Sequence, residues 1–73
     1  MAVNTSLVAA NIRGKRAEKN ISQDELADLC GVSTTTVCNW ENERALPTLE
    51  NICELADVFE TTTDLLTGRE QRR

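Results

Sequence analysis

Residues 22–41 read SQDELADLCGVSTTTVCNWE, and this stretch decides the fold. It opens with a capping box, in which the Ser22 hydroxyl accepts from the third helical amide and the Glu25 carboxylate reaches back to the Ser22 amide. A short apolar stripe and a glycine follow, at Leu26, Ala27, Cys30 and Gly31. The first half of the stretch therefore predicts a short helix that ends at the glycine.

The second half contains three consecutive threonines, which are weak helix formers. Ser33 stands directly before them and suits a helix N-cap. Val37 and Trp40, at i, i+3 spacing, predict the inward face of a second helix. Thr34, Thr35, Cys38 and Asn39 would then lie on its outward side. No Lys or Arg occurs between residues 20 and 43, so this outward side is uncharged.

Helical patterning continues on both sides of the stretch. Before it, Val8, Ile12 and Arg16 follow i, i+4 spacing, and Asn20 suits the left-handed end of a helix. After it, Thr48 caps a fourth helix. The predicted inward stripe of that helix is Leu49, Ile52, Cys53, Ala56 and Phe59, with Leu55 beside it.

A turn at residues 61–63 leads into a predicted fifth helix that carries Leu65 and Leu66 and ends at Gly68. Strand-like alternation is absent from the sequence. We therefore expect an all-α, compact five-helix bundle that forms one domain over residues 1–68. The basic tail, residues 69–73, has no apolar side chain to bury and is expected to be frayed.

Composition restricts the function classes. The 73 residues suffice for one domain. They contain no apolar run of the roughly 20 residues that span a bilayer, and no signal peptide. We therefore expect a cytoplasmic protein without membrane contact. There is no His and no Tyr, and the three cysteines lack metal-binding spacing. We expect reduced, partly buried thiols, with Cys38 the candidate for exposure and redox sensitivity. No metal, cofactor, small-molecule ligand or enzymatic activity is predicted.

The charge distribution is uneven. Twelve acidic and eight basic residues give a net charge of −4, the wrong sign for a simple polyanion binder. The basic side chains concentrate in the first helix and the tail, and Arg44 alone lies between them. In the first helix, Arg13, Lys15 and Lys19 are interpreted mainly as a solvated face.

Residues 23–41 resemble a helix-turn-helix. Counted from Gln23, Ala27 and Gly31 hold the fifth and ninth positions, where helices cross closely and the turn needs positive φ. Val37 and Trp40 hold the fifteenth and eighteenth, which pack the second helix on the first. Over residues 8–68 the order of these landmarks is similar to the lambdoid phage repressor and Cro family.

This resemblance implies that the helix at residues 33–41 lies in the DNA major groove, and that a dimer reads half-sites about 34 Å apart. The implied base contacts are Ser33, Thr34, Thr35, Cys38 and Asn39. The implied phosphate contacts are Ser22, Gln23, Asn42 and Arg44. Arg16 and Glu41 match a family ion pair that braces the first helix against the third. Thr methyls suit thymine and Asn39 suits adenine, which favours A·T-containing steps.

The expected partners are double-stranded DNA and a second copy of the chain, with Val58, Leu65 and Leu66 as interface candidates. Glu43 and Glu60 depart from the resemblance, because the family commonly has Gly at both positions. The resulting hypothesis is a transcriptional repressor that binds a palindromic operator as a dimer. The alternative is a protein-interaction module that keeps the fold but has little DNA affinity, which the acidic composition and Glu43 favour.

Overall fold

The computed structural model describes residues 5–62. Four α-helices lie there: α1 (Thr5–Lys19), α2 (Gln23–Cys30), α3 (Thr34–Glu41) and α4 (Leu49–Phe59). The described residues contain no strand, so the all-α prediction is confirmed. The prediction of five helices is corrected to four within residues 5–62. The predicted fifth helix, with Leu65 and Leu66, and the tail at 69–73 lie outside the described residues.

Side chains cap the helices at the predicted positions. Ser22 Oγ accepts from the Glu25 amide at 3.1 Å, and Glu25 Oε1 accepts from the Ser22 amide at 2.8 Å, which completes the capping box. Ser33 and Thr48 cap α3 and α4 in the same way, accepting from the amide three residues on. Gly31 ends α2 with φ +70°, a left-handed conformation that glycine adopts without strain. The short α2–α3 unit thus follows from local sequence.

All four helices contribute to one apolar core. Its buried members are Val8, Ile12, Leu26, Ala27, Cys30, Val37, Trp40, Ile52, Leu55 and Phe59. α3 packs on α2 and α1, and α4 closes the core against those same two helices. Ala27, Val37 and Trp40 are all buried, as predicted for the motif core.

The predicted inward stripe of α4 is wrong at two positions. Leu49 is 78% exposed and Cys53 is also exposed. Both lie on the same side of the helix, four residues apart, whereas the buried residues follow i, i+3, i+4, i+7 spacing from Ile52 to Phe59. The expectation of reduced, partly buried thiols holds for Cys30, which is buried, and for Cys38, which is half-buried, and all three thiols are free. It is wrong for Cys53, which is the exposed thiol in place of Cys38.

Among residues 5–62, three residues other than glycine adopt positive φ. Asn20 has φ +58° at the end of α1, as its sequence position predicts. Glu43 and Glu60 have φ +63° and +55° after α3 and α4. A side chain at such a position costs roughly 1–2 kcal/mol relative to glycine, so both glutamates occupy strained turns.

Across residues 5–62, every helix falls short of the length and hydrophobicity that a bilayer crossing requires. The same residues do not gather three or more His, Cys, Asp or Glu side chains into a cluster of the kind that holds a metal ion.

Candidate nucleic-acid interface

The C-terminal end of α3 is fixed by the carboxylate of Glu41. This side chain is buried, at 5% exposure. Arg16 donates from Nε to Glu41 Oε2 at 2.8 Å and from Nη2 to Oε1 at 3.2 Å. Gln23 Nε2 donates to the same Oε1 at 3.0 Å. The ion pair that the resemblance implied is therefore present, and it also includes the first residue of α2.

Arg13 adds a bond that the sequence did not predict. Its Nη1 donates to the backbone carbonyl of Glu41 at 2.6 Å, so it satisfies one of the carbonyls that a helix leaves unpaired at its C-terminus. Arg13 had been interpreted as part of a solvated face. Its position three residues before Arg16 places both guanidinium groups on one side of α1, which was the available signal.

The positive charge of Arg16 has a negative partner, Glu41, at its partly buried position. Its side-chain hydrogen bond to Glu41 raises the pKa of Arg16, while burial lowers it and the charge of Glu41 raises it further. Arg16 Nη1 also donates to the Ile21 carbonyl at 3.0 Å, which ties the α1–α2 turn to the same group. The guanidinium therefore stays charged and links α1, the following turn and α3.

The outer face of α3 has the opposite character. Thr34 and Thr35 are exposed, and Cys38 and Asn39 are half-buried. Residues at i, i+1, i+4 and i+5 share one side of a helix, so the structure brings these four predicted base-contacting residues together. Ser33 is exposed directly before them, and its Oγ is occupied as the N-cap of α3. This outer face carries no formal charge.

Thr34 makes a contact that sequence reasoning missed. Its Oγ1 donates to Asp24 Oδ1 at 2.6 Å, joining the first turn of α2 to the start of α3. Because this contact joins residues ten apart across a turn, no local spacing rule identifies it.

The predicted phosphate-contacting residues flank this face. Ser22 and Gln23 lie at the start of α2, where the Ser22 hydroxyl caps the helix and the Gln23 amide bonds to Glu41. Asn42 and Arg44 follow α3 and are exposed. Asn42 Nδ2 donates to Cys38 Sγ at 3.2 Å. The four residues thus divide into a pair before α2 and a pair after α3.

Glu43 lies between Asn42 and Arg44. Its Oε1 accepts from Ser6 Oγ at 2.7 Å, so the strained turn after α3 is bound to the first turn of α1. This contact holds the carboxylate of Glu43 toward α1, although its negative charge remains close to this end of the face.

Comparisons with known proteins agree with this geometry. A helix-turn-helix family model matches residues 12–66. The chain is 41% identical over 58 residues to the HTH-type transcriptional regulator AnsR of Bacillus subtilis, covering 80% of this chain and 50% of AnsR. It is 34% identical over 62 residues to the cryptic phage CTXphi transcriptional repressor RstR of Vibrio cholerae, covering 85% of this chain and 55% of RstR. The chain thus spans about half the length of these curated relatives.

Among solved structures, the phage P22 c2 repressor in complex with a synthetic operator superposes with a TM-score of 0.82 at 28% identity. The match covers 88% of this chain and 97% of the c2 chain. The residues matched by the family model include all of α2, α3 and α4. The chain belongs to the helix-turn-helix family of Cro/C1 type.

Proposed function

We propose that this chain is a sequence-specific double-stranded DNA-binding regulator of transcription, a repressor that occupies a palindromic operator as a dimer. The observation that carries the proposal is the exposed, uncharged outer face of α3, held against α1 and α2 through the buried carboxylate of Glu41. Relatives that are named as a transcriptional regulator and a repressor support the same function. Occupying an operator requires no catalytic group.

Base recognition is assigned to the outer face of α3. Threonine methyl groups contact the thymine methyl favourably, and the Asn39 amide can pair with both adenine N6 and N7. Ser33 and Thr34 lie at the N-terminus of α3, within reach of base edges or phosphate when the helix enters the major groove. An outer face without Arg favours A·T-containing steps, because guanine is most often read by Arg.

Phosphate contacts are assigned to both ends of the face. At the start of α2, Ser22 and Gln23 would meet one phosphate, helped by the backbone amides and the positive end of the helix dipole. Beyond α3, Asn42 and the cationic Arg44 would meet another. Each cation placed on a phosphate strengthens binding through counterion release. Because few cations lie near the face in the part of the chain that the structure describes, one protomer would bind weakly.

Dimerisation compensates for that weakness by doubling the base and phosphate contacts. The interface is proposed to involve Val58 together with Leu65 and Leu66. Val58 is half-buried and packs against the core, so it presents only part of its side chain to a partner.

A protein-interaction module is the second candidate. The net charge of −4 favours it, and so do the carboxylates of Asp24 and Glu43, which lie at the two ends of the α3 region. Carboxylates repel the phosphate backbone, whereas a basic protein partner would be attracted to them.

Selection from a random duplex pool distinguishes the two candidates. The bound fraction is sequenced at low salt and again at higher salt. Enrichment of a palindrome with half-site centres about 10 bp apart supports a dimeric operator reader. If no sequence is enriched even at low salt, the repressor proposal is wrong and the same surface becomes the candidate site for a protein partner.

Two groups of variants make the selection sharper. T35A and N39A should change the preferred bases. R44A should weaken binding to all sequences alike and reduce the salt slope by about 1. K15A is the matched control for R44A, because it removes one positive charge from α1, where Lys15 pairs with Glu18 at 3.4 Å. Equal losses for the two variants would show that Arg44 acts only through net charge.

A further inference from the structure

The contact between Asp24 and Thr34 joins the two helices of the motif at the edge of the proposed reading face. Thr34 Oγ1 donates to Asp24 Oδ1 at 2.6 Å, and both residues are exposed. A hydrogen bond between a hydroxyl and a carboxylate in this distance range is charge-assisted and among the stronger ones in proteins. The hydroxyl of Thr34 therefore has a defined orientation before any DNA is present.

That orientation determines which atoms can bind Thr34. A hydroxyl has one hydrogen to donate and two lone pairs that accept, whereas an ionised carboxylate can only accept. The single hydrogen of the Thr34 hydroxyl is therefore directed at Asp24. Its lone pairs remain for a base edge, so Thr34 acts toward DNA as an acceptor.

We propose that Asp24 is a positioning residue for specificity, and that it restricts Thr34 to bases that offer a hydrogen-bond donor in the major groove. Adenine N6 and cytosine N4 are such donors, whereas guanine O6 and N7 and thymine O4 only accept. Opposite Thr34, the operator should therefore carry an adenine or a cytosine. This inference rests on the proposed DNA-binding function and adds a base rule to it.

The neighbouring hydroxyls do not share this restriction. Ser33 Oγ and Thr36 Oγ1 lie 2.9 Å apart, and either one can donate. Within the described residues, the hydroxyl of Thr35 has no hydrogen-bond partner and can turn either way. Thr35 is thus an internal comparison for Thr34, since it has the same chemistry without a neighbouring carboxylate. We therefore expect a preference for bases that offer a hydrogen-bond donor opposite Thr34, and no such preference opposite Thr35.

The carboxylate of Asp24 has a second effect, which the experiment must separate from the first. Any negative charge near the DNA backbone lowers affinity for all sequences. D28A serves as the matched control, because Asp28 is exposed on α2 one turn after Asp24 and the Thr34 hydroxyl donates to Asp24 instead. D24A and D28A remove the same charge from the same helix, and only D24A releases the hydroxyl of Thr34.

The experiment compares wild type, D24A, D28A and T34V by selection from one random duplex pool. Thermal melting of each variant checks that it is folded. For wild type we expect enrichment of adenine or cytosine at one position in each half-site. D24A and T34V should reduce that enrichment by about two- to tenfold, the value of one net hydrogen bond. D28A should raise overall affinity and keep the base preference of wild type.

The outcomes separate this inference from the proposed function. If wild type enriches no sequence, the DNA-binding proposal fails and the base rule fails with it. If wild type selects an operator but D24A keeps the same preference at every position, only the base rule is overturned. If D24A loses the preference while T34V retains it, Asp24 itself contacts the base, and its positioning role through Thr34 is wrong.

Discussion

The two ends of α3 are held in different ways. At the C-terminal end, Glu41 is 5% exposed, and its carboxylate accepts hydrogen bonds from Arg16 and Gln23. Its backbone carbonyl accepts from Arg13, so that α1 and α2 both hold this end. At the N-terminal end, the hydroxyls of Ser33 and Thr34 are exposed and bond only to nearby segments. The buried end fixes the axis of the helix, whereas the exposed end is available to a ligand.

Within the eight residues of α3, one end therefore serves mainly the stability of the fold and the other serves the proposed recognition of DNA. A buried carboxylate must be satisfied on all sides, because an unpaired charge in the interior is costly. The exposed hydroxyl of Thr34 has water as an alternative partner, so its substitution costs little stability. Ser33 is the exception at this end, because its hydroxyl caps α3. Substitutions at the C-terminal end should therefore change the free energy of unfolding, and substitutions at the N-terminal end should change base preference.

The largest effect is expected for E41A. It removes the acceptor of three side-chain hydrogen bonds and leaves the Arg16 charge without its partner. Breaking a fully buried pair costs roughly 3–5 kcal/mol. Because the Arg16 side chain is 24% exposed and can recover some hydration, we expect a loss of about 2–3 kcal/mol, measured by urea denaturation.

E18A is the matched control for this prediction. Glu18 pairs with Lys15 at 3.4 Å on the surface of α1, with a side chain that is 67% exposed. A surface pair of this kind contributes about 0–1 kcal/mol. Similar losses for E18A and E41A would show that the C-terminal end of α3 is no better fixed than the surface.

The turns on either side of α3 give the next prediction, because they share a left-handed backbone but differ in residue type. Gly31 has φ +70° and Glu43 has φ +63°. No atom lies within 4 Å of a Cβ added at Gly31, so G31A should cost about 1 kcal/mol through backbone strain alone. E43G should relieve the same strain and raise stability by about 0.5 kcal/mol, the larger unfolded-state entropy of glycine offsetting part of the gain.

Thermal melting of both variants measures the expected loss of stability in G31A and the expected gain in E43G. S6A isolates the hydrogen bond that Ser6 donates to Glu43, which E43G also removes. A stability loss in E43G that S6A reproduces would mean that this hydrogen bond, rather than backbone strain, decides the sign.

Much of the fold was predictable because its signals are local. The capping box at Ser22, the glycine at 31 and the caps at Ser33 and Thr48 each act within a few residues. The stripe of α4 was predicted less well. Leu49 and Cys53 are apolar by residue type, but the rotation of α4 against α1 and α2 places them outside, and sequence spacing alone did not determine that rotation.

The candidate site was predictable in its positions and less so in its contacts. Periodicity grouped Thr34, Thr35, Cys38 and Asn39 on one face. The resemblance supplied the pair between Arg16 and Glu41. The bonds from Arg13 to the Glu41 carbonyl and from Thr34 to Asp24 depend on how three helices meet, so they required the structure. DNA contacts by any of these residues remain predictions.

R13A tests how much the newly found bond adds to the fixed end of α3. Arg13 is exposed but donates at 2.6 Å to the last carbonyl of the helix. We expect a loss of about 0.5–1 kcal/mol, typical of one net hydrogen bond. K15A removes an equal charge from the same helix and should cost less than R13A in the same urea titration. If R13A and K15A lose the same stability, the bond from Arg13 adds nothing, and Arg13 only belongs to the solvated face that the sequence predicted.

The smallest expected effect is a decline in stability at alkaline pH, to which Cys30, before α3, contributes and Arg16, at the C-terminal end of α3, does not. Cys30 is the last residue of α2, shortly before α3 begins, and it lies in the core. Burial together with the charge of Glu54 raises the pKa of its thiol. The unfolded thiol ionises first, near the ordinary value of 9.0, so the unfolded state then binds fewer protons and stability falls as pH rises. This loss is at most about 0.4 kcal/mol where the unfolded thiol is half ionised, and it continues until the pH passes the folded-state pKa.

Arg16, at the C-terminal end, contributes no slope in this range. Its hydrogen bond to Glu41 raises the pKa of Arg16 above an ordinary value that already lies far above pH 10, so its stabilising contribution is fully present. Urea titrations between pH 7 and 10 should therefore show a decline that C30A reduces, because it removes the thiol. C53A is the matched control, since Cys53 is exposed and its removal should leave the decline unchanged. If C30A declines as steeply as wild type, the thiol of Cys30 is as accessible to water in the folded chain as in the unfolded one, and this explanation of the decline is wrong.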